Sequence, residues 1–429
     1  MVKRVTAGVK RKLLPISLIG LLLSACQSNS PIEEKPKEEQ KITLEIRNPK
    51  IEIASPFERM VDAYEQKHPN IEIKVHTVGG AIDDFSDLKA QMAAGKGPDI
   101  FTNLGFENTR KWKNLLEDLS DQPWVDEAYQ ETLEPIKIND KIYGMPMNLE
   151  GYGFVYNKDL FDQAGINSLP STLSELKAAA EKLQRAGITP FATGYYEKWK
   201  LGDHLMNIAL VRQDNPTAFM KRLNSGKSSI ENNPAFRDLL QLLDLTVKYG
   251  GDEPLATDYI MEIHTFASGE AAMILQGNWI QPMIDERSPG MDIGLLPIPI
   301  NNHNQKNPLV VNTPSYWVVN KQTTPSKKRE AKKFLNWMVN SKQGQRFMTE
   351  ELKFVPAFEY IKADKSGPLA NDIIKKYKEG RTISSNIIKF PAGVREEFGH
   401  ATQRYIEHEI TREQLLRNYQ KTWEQAKKN

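Results

Sequence analysis

The chain has 429 residues, 39% of them apolar, which is enough to bury the cores of two domains. Five of its 57 basic side chains precede residue 26 without an acidic one among them, so from there on 52 basic residues face 55 acidic. That mildly acidic balance excludes a nucleic-acid partner, because binding phosphates needs a basic surface.

Lys3, Arg4, Lys10, Arg11 and Lys12 form a basic leader, and Leu13 to Leu23 is an apolar run too short to span a bilayer. Ser24 and Ala25 then precede Cys26, the single cysteine of the chain. The arrangement resembles the bacterial lipoprotein signal. It implies that residues 1–25 are removed and that Cys26 is acylated, which tethers the protein to the outer face of the cell membrane of a Gram-positive type of cell. An acylated Cys26 leaves no thiol for disulfides, catalysis or metal. From Gln27 to Gln40 only Ile32 is aliphatic, so 26–40 reads as a lipidated flexible tether. Its 14 residues after the cysteine reach roughly 45 Å when extended.

The folded part opens with a parallel α/β pattern. Ile42, Leu44 and Ile46 alternate as a strand, and Ser55-Pro56-Phe57-Glu58 reads as a helix start with a capping serine. Phe57, Met60, Val61 and Tyr64 then make one apolar helix face. Ile71, Ile73 and Val75 alternate as a second strand. Phe85, Leu88 and Met92 suggest a helix, and Asp99-Ile100-Phe101 starts a third strand. Ligands of such parallel sheets lie beyond the carboxyl ends of the strands, near Asn48, Gly79-Gly80 and Thr102 to Asn108. Further on, Thr172 and Glu175 are spaced as a capping box. A helix capped by Ser326 places Ala331, Phe334, Leu335 and Met338 on one face, and a last helix from Thr411 carries Leu415, Tyr419 and Trp423. The seven histidines, His204 among them, show no metal-type spacing, and no phosphate-binding glycine–lysine loop occurs; no metal and no cofactor is expected.

The order of motifs is more specific than any of them alone. Tyr143-Gly144-Met145-Pro146 is followed by Tyr156-Asn157-Lys158-Asp159-Leu160-Phe161 and by the helix entry at Pro170 to Leu176. Ser268-Gly269-Glu270-Ala271-Ala272-Met273 then runs to Gly277-Asn278-Trp279, and the chain returns through Val318 to Met338. This order resembles the family 1 extracellular solute-binding proteins, the maltose-binding-like sugar receptors of ABC importers, over essentially all of 41–429. Within them it is most similar to multiple-sugar-binding lipoproteins for α-galactosides such as melibiose, raffinose and stachyose. The resemblance implies a periplasmic-binding-protein-like α/β fold: two α/β lobes with crossover hinge segments and a ligand cleft between them. Lobe one would comprise 41–149 and 300–355, and lobe two 150–299 and 356–429. It further implies an oligosaccharide ligand, two permease subunits, a separate ATPase, a monomeric receptor and no enzymatic turnover.

A pyranose offers hydroxyls at its edges and C–H groups on its faces, so its site needs polar rims and flat rings. By the resemblance, Trp279 is the stacking ring and Glu150 the carboxylate that accepts sugar hydroxyls, with Tyr152 beside it. Tyr195, Tyr196, Glu197 and Trp199, together with Lys198, form an aromatic and charged cluster of which at least one member should touch ligand. In the first lobe Asn103 and Glu107 replace the acidic–arginine pair of maltose receptors. Tyr316 and Trp317 lie on the returning segment, as site or as hinge packing, while Trp337 and Trp423 belong to apolar helix faces. Two other classes stay open: a receptor for another small solute, and a secreted glycosidase using a carboxylate pair such as Glu150 and Glu197.

Overall fold

The structure, a computed structural model, describes residues 41–79, 84–303, 307–391 and 393–427. Cys26, the leader and the tether lie outside these residues. No helix among the described residues is long and apolar enough to cross a membrane.

In the first lobe, Ile42–Asn48 pairs in parallel with Ile71–Thr77, Ile42 opposite Ile71 and Asn48 opposite Thr77. Ile100–Asn103 joins the other edge, also in parallel. The strand Tyr316–Val319 then enters antiparallel between Ile100–Asn103 and Met145–Pro146, so the sheet is mixed rather than parallel. The reason is directional. Chain re-entering from the other lobe arrives at the hinge, opposite Asn103, and has to run away from it.

The helix Ala54–Glu65 buries Phe57, Met60, Val61 and Tyr64, as their spacing predicts. Its start differs from the expectation. A 3-10 turn, Ile51–Ile53, runs directly into it, so Ser55 lies inside the helix and its hydroxyl accepts a hydrogen bond from Arg59 at 2.9 Å. Likewise Pro325–Asn340 buries Ala331, Phe334, Leu335 and Met338, but Thr324 caps it instead of Ser326. Proline fits the first helical turn, which leaves the residue before it as the cap.

In the second lobe, Glu150–Asn157 is buried along its whole length at the centre of a six-stranded sheet. Ala271–Gly277 pairs antiparallel with one edge. Ile293–Leu296 and Leu309–Asn312 share the other. Thr189–Ala192 and Thr382–Ile383 add in parallel outside them. The helix Leu173–Arg185 carries the expected capping box of Thr172 and Glu175. Arg412–Ala426 is boxed by Thr411 and Gln414, and buries Leu415, Tyr419 and Trp423.

Two segments lie on the other side of the expected lobe boundaries. Leu309–Asn312, placed with lobe one from sequence, pairs with Glu150–Tyr152 of the second sheet. Ala357, Phe358 and Ile361, placed with lobe two, pack in the first core, where Phe358 meets Trp124 edge to face at 6.4 Å. Val355 touches the second core at the hinge, and the chain returns to that core with Leu369, Ala370 and Ile373.

Candidate functional site

The lobes are joined by segments that hydrogen-bond to one another: Met147 N donates to the Ser315 carbonyl at 3.0 Å and Leu149 N to that of Val355 at 2.8 Å. Beside this hinge, at the carboxyl end of Ile42–Asn48, the Asn48 side chain accepts from Lys50 N at 3.0 Å and donates to the Lys50 carbonyl at 2.9 Å. So bracketed, Lys50 reaches across. Its Nζ lies 3.1 Å from Glu52 and 2.7 Å from Glu150, the first residue of the central strand of the other lobe. The three side chains are 13, 7 and 8% exposed. Burial alone would lower the ammonium pKa, but Glu150 and Glu52 more than offset it, so Lys50 stays charged.

Next to this ion triad is a floor of rings. His204 stacks on Tyr152 at 4.5 Å, meets Trp199 edge-on at 5.1 Å and lies 5.2 Å from Trp279. Trp199 also meets Tyr259 edge-on at 6.0 Å. Burial, reinforced by Lys200 and Lys50, lowers His204 to about 3, so the imidazole is neutral and behaves as one more ring. Tyr152 donates to the His204 carbonyl at 3.1 Å and accepts from Asn207 at 2.8 Å. A π-helical turn, Lys200–Leu205, sets this geometry by turning Lys200 and His204 inward.

The structure thus brings Trp279, Glu150, Tyr152, Glu197 and Trp199 into one region. Glu197 is turned to internal use, accepting from Tyr259 N at 2.8 Å. The remaining candidates whose side chains are described make their contacts elsewhere. Tyr195 is buried in the second core, its hydroxyl 2.6 Å from that of Thr246. Tyr196 is exposed, and its carbonyl accepts from Gln403. Asn103 is consumed by its own loop, accepting from Gly105 N at 2.8 Å and Thr109 Oγ1 at 3.1 Å. Glu107 opens the helix Glu107–Trp112, and its side chain lies outside those described. Tyr316 and Trp317 are first-lobe core: Tyr316 donates to the Thr132 carbonyl and Trp317 stacks on Phe57 at 5.4 Å.

Sequence reading missed Lys50, Glu52, His204 and Tyr259. Lys50 and Glu52 fall in the loop after Asn48 that strand polarity marks as a ligand edge, and charge in such a loop was the available signal. Nothing local marks His204 or Tyr259.

Asp203, next to His204, carries a separate consequence. Burial raises its carboxyl from 3.8 to about 6, opposed by Arg395 at 3.4 Å. The native state therefore holds this proton more tightly than the unfolded chain does. The stability it contributes is complete below about pH 4 and lost as pH rises through about 6. Asp203→Asn should remove about 1–3 kcal/mol of that slope, read by chemical denaturation across this range. His204 acts in the opposite sense, so the difference between variant and parent isolates Asp203.

Two α/β lobes that meet over an ion triad and a floor of rings define a two-lobed ligand-binding protein. Residues 48–345 match the model of the bacterial extracellular solute-binding proteins, and the chain belongs to that family. A multiple sugar-binding protein of Streptococcus mutans is 24% identical over 362 residues, 82% of this chain and 83% of that one. Two solved structures, a chitin oligosaccharide binding protein and the solute-binding protein RafE in complex with raffinose, each align with a TM-score of 0.77 at 22% identity. They cover 91% and 90% of this chain and the whole of their own.

Proposed function

We propose that the protein is the sugar-capturing receptor of a carbohydrate ABC importer. It would be a monomer held outside the cell membrane by acyl chains on Cys26, delivering an oligosaccharide to two permease subunits driven by a separate ATPase. The observation that carries this reading is the pairing of Trp279 and its neighbouring rings with the Lys50–Glu52–Glu150 triad at one junction of the lobes. Rings take the apolar faces of a pyranose, and carboxylates and an ammonium take its hydroxyls. Tyr259 adds a buried hydroxyl without a hydrogen-bond partner among the described residues. Closure over the ligand is stabilised by contacts made to both lobes, the same two surfaces that Lys50 joins. Within this reading the ligand is an α-galactoside such as melibiose, raffinose or stachyose, on the strength of the motif order.

A glycosidase is disfavoured by the engagement of its two candidate carboxylates, Glu150 with Lys50 and Glu197 with Tyr259 N. Calorimetry with raffinose, melibiose and maltose should give saturable binding, strongest for an α-galactoside, and no released monosaccharide. Release would favour the glycosidase. Trp279→Ala should weaken binding by about 1–3 kcal/mol in a protein that still folds. Unchanged affinity would take Trp279 out of the site.

A further inference from the structure

Trp279 is held from three sides. Its indole N–H donates to Gln276 Oε1 at 2.9 Å, and Gln276 Nε2 donates to Glu262 Oε2 at 2.9 Å. The other oxygen of Glu262 pairs with Lys200 Nζ and accepts from Gly194 N at 3.0 Å. Lys200, Glu262 and Gln276 are each 1% exposed. Beneath the ring lies Gly277, where a Cβ would fall 2.2 Å from Cζ3 of Trp279. His204 lies alongside, 5.2 Å away.

The chain of bonds has only one polarity. An ionised carboxylate accepts and never donates, so Glu262 draws the amide NH2 of Gln276 toward itself. The amide oxygen must then point the other way, toward an indole N–H that donates and never accepts. Reversing the amide would set carbonyl against carboxylate and NH2 against N–H. A buried ion pair of this kind is no more stabilising than apolar packing of the same volume, so net stability does not account for it. Orientation does, since an apolar neighbour would leave the indole free to turn in its plane.

We infer that Gln276 is a positioning residue for ligand binding, fixing the plane of Trp279 through a one-way relay anchored on the Lys200–Glu262 pair; this rests on the reading of Trp279 as the stacking ring. Gln276 touches no ligand itself. The strand Ala271–Gly277 brings it behind the ring, and Gly277 gives the ring its seat.

The test is a double-mutant cycle on the full chain, with raffinose as probe: Gln276→Leu, Trp279→Ala and both together. Gln276→Leu should weaken binding about tenfold, and the double variant should bind no worse than Trp279→Ala alone. An equal loss from Gln276→Leu in both backgrounds overturns the relay and leaves the receptor reading intact, which the parent titration judges separately. Gln276→Glu guards against misfolding. Its carboxyl faces Glu262, which interacts with Lys200, Tyr195 and Tyr259, while Glu197 and His204 face Lys200. At low pH one shared proton preserves the polarity of the chain, and at higher pH two carboxylates repel. The Gln276→Glu affinity should therefore match the parent near about pH 5 and fall about tenfold by about pH 8, while the parent profile differs. Identical profiles overturn the relay. Should raffinose not bind the parent, the indole N–H resonance of Trp279 still decides. It should be protected from solvent exchange in the parent and lose protection in Gln276→Glu as pH rises; protection in both overturns the relay.

Discussion

Replacing Lys200 by methionine is expected to lower the unfolding free energy by about 3–5 kcal/mol, the characteristic cost of stranding one member of a buried ion pair. Lys200 and Glu262 are each 1% exposed. Burial pushes the ammonium down and the carboxyl up, each opposed by its partner. With Lys200 gone, Glu262 keeps only its bonds from Gly194 N and Gln276. It then takes up a proton more readily in the native state than in the unfolded chain, so the deficit should shrink as pH falls. Denaturant titrations at neutral and mildly acidic pH read both effects. A deficit below about 1 kcal/mol, or one that grows in acid, would contradict the assignment of a charged pair. Exchanging both residues for apolar ones of similar volume should restore most of the loss, because no charge is then left buried.

Lys50→Met should act on the closure of the lobes instead of on the fold. Lys50 lies between Glu52 and Glu150, and without it two carboxylates from opposite lobes would face each other at less than a tenth exposure. Hydrating them by opening the junction relieves that repulsion, whereas holding it closed costs about 3–5 kcal/mol. Small-angle X-ray scattering should show a larger radius of gyration, and affinity for the sugar should drop because closure must now work against this cost. Adding Glu150→Gln should restore much of the compactness, as one carboxylate alone is tolerable, but not the affinity, because Glu150 is itself read as a partner of the sugar hydroxyls. A radius and an affinity equal to the parent's would mean that the triad does not hold the lobes.

Local signals carried most of the fold. The face of Phe57, Met60, Val61 and Tyr64, the box of Thr172 and Glu175 and the helix start at Thr411 each depend on residues within a few positions, and the structure has them as read. Cap placement failed at Ser55 because a preceding 3-10 turn competes for the same residues. Lobe membership failed at Leu309–Asn312 because any apolar run pairs with whichever sheet edge reaches it. The edge of Glu150–Tyr152 did, from far along the chain. In the junction, aromatic and acidic residues could be listed from sequence but not sorted. Tyr152 and Tyr195 are both buried tyrosines of the second lobe, and only their neighbours, His204 for one and Thr246 for the other, separate ring floor from core.

The sequence by itself determined the α/β elements and an aromatic after the strand Ala271–Gly277, since periodicity and caps are written in neighbouring residues, and the order of its motifs carried the resemblance that implies two lobes. Tertiary structure alone decided what surrounds that aromatic. Lys50 meets Glu150 a hundred positions away, and Gln276 meets Glu262 from another element. Charges choose partners by distance in space, and in a low dielectric that choice sets their ionisation and the pose of the ring beside them.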